Sequence, residues 1–178
     1  MKWTIDPVHS SVEFAVRHMS ISLVRGRFNR VSGTIETADD GRLAGVDASI
    51  DASSIDTAES RRDVHLLSPD FLDAANYPTL TFRSTAIDAL GDGRFRVKGD
   101  FTIRGETHPA VFEVVTTSPV IDLWGNRRSG AHAVGAIARK DWGLAWNQAM
   151  ESGGVLVGDE VQFTLDIEAV LPESTHAT

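Results

Sequence analysis

Cysteine is absent from the 178 residues, which excludes disulfides, thiolate zinc sites and a thiol nucleophile, and leaves the redox compartment unread. No uninterrupted apolar run approaches the roughly 18 residues that a membrane-spanning helix needs. The opening Met1-Lys2-Trp3-Thr4-Ile5-Asp6-Pro7 enters a strand-like pattern at once, with neither the apolar segment nor the small-residue cleavage site of a secretion signal. These absences describe a soluble chain, expected in the cytoplasm and without stable membrane insertion. Positive charge is also in deficit: 17 Lys and Arg stand against 25 Asp and Glu, for a net charge of −8. Nucleic acid is therefore excluded as a partner, because Lys and Arg must replace phosphate counterions there, and anionic membrane surfaces are disfavoured.

Catalytic punctuation is equally scarce. There is no G-x-S-x-G elbow and no Walker or Rossmann loop, so neither a serine nucleophile nor a nucleotide cofactor is expected. The histidines at 9, 18, 65, 108, 132 and 176 are scattered, and no pair has the i, i+4 spacing of a zinc-binding helix. No cofactor or metal is expected.

What is present is alternation. With 42% hydrophobic and 24% charged residues the composition is globular. Apolar residues recur at every second position in strand-length runs: Val12, Phe14, Val16; Val46, Ala48, Ile50; Leu80, Phe82; Phe95, Val97, then Phe101, Ile103. The pattern continues through 111–115, where Phe112 and Val114 oppose Val111, Glu113 and Val115. It ends with Ala131, Ala133, Gly135, Ile137 and Val161, Phe163, Leu165, Ile167. Asp39-Asp40-Gly41, Gly91-Asp92-Gly93, Arg104-Gly105-Glu106 and Gly125-Asn126 tolerate positive φ between the runs and predict sequential antiparallel hairpins.

Only residues 56–75 have helical character. Asp56 and Glu59 suggest a capping box, and Val64, Leu67 and Phe71 share one face. Ser68-Pro69-Asp70 reads as a second N-cap that divides the helix into two short pieces. A strand meander with one helical insertion fits a barrel or a sandwich. Gly26, Gly33, Gly99 and Gly135 inside the β runs, read as bends or bulges, favour the barrel. Eight strands of about ten residues account for a single domain over 1–172, followed by a polar tail at 173–178.

Two constellations could carry function. Arg61-Arg62-Asp63-Val64-His65 is either a polar clamp, in which His65 and an arginine grip a ligand headgroup, or a salt-bridged stitch between helix and rim. Trp142 and Trp146, four apart, would face the same way on a helical turn, as a lid over an apolar cavity or as a plug in the core. His9-Ser10-Ser11 reads as a surface turn.

The chain resembles the YceI-like, polyisoprenoid-binding proteins, bacterial β-barrels of lipocalin-like fold. The carriers are Trp3-Thr4-Ile5-Asp6 with His9-Ser10 and Phe14; Gly26-Arg27-Phe28; Ser54-Ile55-Asp56-Thr57; Arg62-Asp63-Val64-His65-Leu66; and Pro69-Asp70-Phe71-Leu72-Asp73-Ala74. Tyr77-Pro78 before Phe82, Gly99-Asp100-Phe101-Thr102-Ile103-Arg104-Gly105, Arg139-Lys140-Asp141-Trp142-Gly143-Leu144 and Val157-Gly158-Asp159-Glu160-Val161 complete them. Many members have a secretion signal and work in the periplasm, whereas this sequence begins directly at the domain.

The resemblance implies an eight-stranded antiparallel barrel with one short helical insertion, and an interior apolar tunnel that holds a polyisoprenoid or prenyl-quinone-like lipid for carriage or storage. Its expected lining is Phe14, Phe28, Arg62, His65, Leu66, Phe71, Phe82, Phe101, Ile103, Trp142 and Trp146. Two alternatives stand beside this non-enzymatic reading. One is an enzyme acting on an isoprenoid lipid through Asp63 and His65; the other is a stress-related protein with adventitious lipid. A homodimer is the commonest state for a soluble oligomer.

Overall fold

Strands with one apolar and one polar face must bury the first and pair every edge, and this chain does both by closing its sheet on itself. A computed structural model describes residues 1–171; the tail at 173–178 lies outside the described residues. The first wall strand consists of β1 (Lys2–Ile5) and β2 (Ser11–His18), interrupted around Pro7, which has no N–H to give the ladder. The second is β3 (Ser22–Phe28) and β4 (Val31–Thr37), and the third is β5 (Leu43–Asp51) and β6 (Ile55–Asp56). Helix α1 (Ser60–Leu67) precedes the long strands β7 (Thr79–Gly91), β8 (Arg94–Ile103) and β9 (Glu106–Thr116). The short β10 (Val120–Ile121), then β11 (Arg127–Ala138) and β12 (Val157–Leu171), complete the chain.

Each wall strand pairs antiparallel with the next, and β12 then pairs with β1 at Thr4↔Val170 and with β2 at Phe14↔Phe163. Among the described residues the result is a closed eight-stranded antiparallel barrel with one short α-helix, as expected. Hairpin chemistry is where the turn residues placed it: Asp92-Gly93 and Arg104-Gly105 all have positive φ (52° and 71°, 52° and 72°), as a two-residue turn matched to strand twist requires. Among the described residues no helix is long and apolar enough to cross a membrane.

Four local expectations are corrected. Helix α1 covers only Ser60–Leu67, and its N-cap is Glu59, whose carboxylate accepts from the backbone N–H groups of Arg61 and Arg62, not Asp56. Asp56 instead accepts from the Ala58 N–H. Val64 is 70% exposed; the face turned to the barrel carries Leu66 and Leu67, which pack on the core. Ser68 does end the helix, but the chain beyond it forms turns, with Phe71 and Leu72 buried, instead of a second helical piece. Finally, the ladder shifts register near Thr37, Thr85, Leu90 and 157–161. Gly26 and Gly135 are therefore not bulges, because they pair regularly with Phe14 and Phe112.

Candidate functional site

Among the described residues the inward faces border two apolar cavities that share a wall. One, of about 250 Å³, lies under α1; the other, of about 370 Å³, lies toward the opposite end of the barrel. Phe163 of β12 lines both. Where they meet, Phe101, Phe112 and Phe163 stand edge to face at centroid distances of 5.7 to 6.5 Å, with Phe82 at 5.3 Å from Phe112. Such tilted contacts satisfy ring quadrupoles while filling the waist of the barrel.

Glycine makes room for these rings. A Cβ on Gly135 would come within 2.7 Å of Phe112, and Cβ atoms on Gly26 and Gly99 would overlap the rings of Phe14 and Phe82. Glycine at these positions thus leaves room for the rings, while Gly99 also pairs with Ser84 beside the register shift at Thr85.

Of the expected lining, Phe14, Phe28, Arg62, His65, Leu66, Phe71, Ile103 and Trp146 converge on the helix-end chamber. Phe82 and Phe101 line the other chamber. Trp142 lines neither: at 2% exposure it is core, and its indole N–H donates to the Phe101 carbonyl at 2.8 Å. The two tryptophans do not face the same way, because the 3₁₀ turn 139–142 ends at Gly143 with φ 73° before Trp146 is reached. Trp142 is the plug, and Trp146 covers the chamber edge-on to His65, at 4.6 Å between centroids.

The polar cluster resolves into separate tasks. Asp63 accepts from the backbone N–H and hydroxyl of Thr57 at 2.9 and 2.6 Å, and Arg62 donates to the same hydroxyl and to the Thr57 carbonyl, both at 2.8 Å. These bonds stitch α1 to Thr57, just past the end of β6. His65 Nε2 donates to Asp70 at 2.8 Å and not to Asp63, so the expected Asp63/His65 pair is not formed. The chamber wall includes Arg17, His18, Arg62, His65 and Arg139 without a carboxylate, which gives this end a positive bias in an acidic molecule.

Arg139, which carries the family resemblance but had no expected role, is 2% exposed, and its guanidinium donates to the carbonyls of Leu144, Trp146, Val157 and Gly158. Burial lowers its pKa from the usual arginine value, and Asp159 opposes the shift from 3.9 Å. The larger chamber has further lining outside the expected set, including Trp3, Ile35, Leu43, Ala131, Ala133 and Ile167. Its rim carries Asp39, Asp40, Thr117 and Arg127.

On the outer wall, Asp6, His9 and Glu168 bring their donor atoms within 4.8 Å of one another, a clustering that sequence distance had hidden. The Arg128 guanidinium already donates to Asp6 at 2.7 Å and to Glu168 at 2.6 Å. Both carboxylates of the cluster are thus already engaged by a cation of the protein itself.

A family model described as the YceI-like domain matches residues 3–169. A UPF0312 protein of Staphylococcus aureus is 33% identical over 176 residues, covering 96% of this chain and 98% of that protein. A UPF0312 protein of Vibrio cholerae is 37% identical over 138 residues, covering 76% of this chain and 72% of its own. Among solved structures, the Campylobacter jejuni YCEI protein superposes with TM-score 0.75 at 25% identity, covering 88% of this chain and 90% of that one. A polyisoprenoid binding domain from Saccharophagus degradans superposes with TM-score 0.68 at 18% identity, covering 96% and 98% respectively, a likeness of fold.

Proposed function

This chain belongs to the YceI-like family, and from that premise we propose that its barrel holds one long apolar lipid, of polyisoprenoid or prenyl-quinone-like class, as a carrier or store. The observation that carries the reading is the pair of apolar chambers meeting at Phe163. Lumen space of this kind loses stabilising contacts when left empty, and its walls offer few polar groups that would hold water. The name of the Saccharophagus degradans neighbour supports the polyisoprenoid class. Location in the cytoplasm and homodimer formation belong to the same proposal.

Hydrophobicity alone does not select the lipid. Each buried CH₂ is favoured by about 0.8 kcal/mol over water, but a membrane offers nearly the same. Preference must come from lumen shape and from the polar groups of the helix-end chamber. Strands of about ten residues, tilted by about 40°, enclose a barrel roughly 25 Å tall, so a long chain bends or protrudes and its length is selected loosely.

The test is purification without detergent, solvent extraction and mass spectrometry, with native mass reading both cargo and oligomeric state. A stoichiometric prenyl lipid in the wild-type protein, lost in Ala133→Phe, is the expected result; Ala133 lines the larger chamber. A folded wild-type protein that is empty, or whose lipid is unaffected by filling that chamber, would overturn the assignment.

A further inference from the structure

Between two rim segments of the larger chamber the chain leaves the barrel, turns, and comes back. Thr116, Thr117 and Pro119 line the cavity on the way out, and Arg127, Ser129 and Gly130 line it on the return. The excursion between them carries Val120 (62% exposed), Ile121 (65%), Leu123 (95%) and Trp124 (79%). Exposure of several large apolar side chains on one short turn marks an interaction site.

The tip is held in shape. Asp122 accepts from the backbone N–H groups of Trp124 and Asn126, both at 2.9 Å, and from Arg128 Nε at 2.7 Å. Its own N–H donates to the Asn126 carbonyl at 2.9 Å. The guanidinium of Arg128 holds the Asp122 carboxyl well below the usual carboxylate range, so this clasp stays charged at any physiological pH. A turn pinned in this way displays Leu123 and Trp124 outward without further ordering cost.

We propose that this turn is a membrane-docking finger, which inserts Leu123 and Trp124 into the interface of a bilayer and brings the mouth of the larger chamber against the lipid. The inference rests on the lipid-holding reading for its purpose, since a cargo insoluble in water must enter and leave through contact with lipid. Tryptophan suits the headgroup level, where its ring is buried and its N–H stays wet. The finger is a single turn beside a two-residue strand, and its exposed apolar residues follow directly on the segments that line the mouth of the larger chamber. The opposite rim carries Asp39 and Asp40 and the whole chain has a net charge of −8, so polybasic attraction to anionic lipid is unavailable. Docking is driven by apolar insertion into a zwitterionic surface and is insensitive to salt.

Flotation with phosphatidylcholine vesicles tests this directly. The wild-type chain co-floats, and Leu123→Ser/Trp124→Ser loses on the order of tenfold or more of its partitioning. Brominated phosphatidylcholine quenches part of the tryptophan emission, and Trp124→Phe removes that part. Solvent extraction of wild type and variant separates docking from cargo: a variant that retains its lipid but does not float supports the finger, and a lipid-free wild type that floats supports it while removing the lipid-holding reading. Failure of the wild type to float, equal flotation of the variant, or quenching unchanged in Trp124→Phe overturns the proposal. So does a concentration-dependent dimer, seen without vesicles and abolished by the double substitution, which would assign the turn to a second copy of the chain.

Discussion

His65 shows how one side chain can be tied structurally and still face a cargo. Its ring is held by Asp70 at 2.8 Å and packs edge-on to Phe71 and Trp146, yet it lines the helix-end chamber. A headgroup reaching that chamber would meet an imidazole of fixed orientation, with Arg62 already committed to Thr57. His65→Ala is therefore expected to leave the barrel folded and to change which headgroups co-purify, as read by mass spectrometry of extracted lipid. Unchanged lipid identity in that variant would restrict His65 to fastening α1 to the turn at Asp70. The inward glycines act at the same scale, because what matters about Gly26, Gly99 and Gly135 is the Cβ they lack beneath Phe14, Phe82 and Phe112.

Among the elements, the segment joining β11 to β12 depends most on one residue. It has little regular structure of its own, and the buried Arg139 gathers the carbonyls of Leu144, Trp146, Val157 and Gly158 around one guanidinium. Removing that donor strands the buried Leu144 carbonyl and takes a partner from the part-buried carbonyls of Trp146 and Gly158. Arg139→Met is expected to cost about 3 kcal/mol, measured as a lowered urea midpoint at unchanged slope, and to loosen Trp146 over the chamber, seen as a red shift in tryptophan emission. A stability within experimental error of wild type would show that water replaces the guanidinium. Helix α1 is short by comparison and depends on its ends, with Glu59 capping one and the Asp63–Thr57–Arg62 bonds anchoring its flank to the residue after β6. An eight-residue helix is marginal by itself, so its place over the barrel comes from these tethers and from Leu66 and Leu67.

For the whole molecule the critical line is the seam where β12 meets the first wall strand. Arg128 of β11 reaches Asp6 after β1, Glu168 of β12 and Asp122 of the finger, so one cation spans the closure. His9 adds a second contact to Asp6 at 2.9 Å. The hydrogen bond to Asp6, followed by the charges of Asp6 and Glu168, raises the pKa of His9 above its ordinary 6.5. The bonds from His9 and then Arg128 lower that of Asp6. A raised histidine stabilises the fold below its unfolded pKa and loses that contribution as pH rises through the folded value. A depressed carboxylate contributes above its unfolded pKa and loses this as pH falls through its folded value. The pair therefore supports the seam most between about pH 4 and 6.5. An NMR titration of the His9 ring should place its midpoint above that of an ordinary histidine in wild type and lower in Asp6→Asn; equal midpoints would remove His9 from the seam.

The periodicity of this sequence settled the class of the wall. Period-two alternation from Val12 to Ile167, with turn residues able to take positive φ, admits little but an antiparallel meander, because those signals are local and each is read within a few residues. The lining expected at the helix end came from the family resemblance and not from periodicity, since Phe28, Phe71 and Trp146 lie outside the alternating runs. The tertiary structure decided matters of distance and competition: that β12 returns to β1 and β2, that Trp142 is spent on the Phe101 carbonyl while Trp146 is not, and that Asp63 serves Thr57 and leaves His65 to Asp70. It also decided that Arg139 is buried and that Asp6, His9, Arg128 and Glu168 meet. Such contacts join residues far apart in the chain or choose between equally good partners, and local pattern has no term for either.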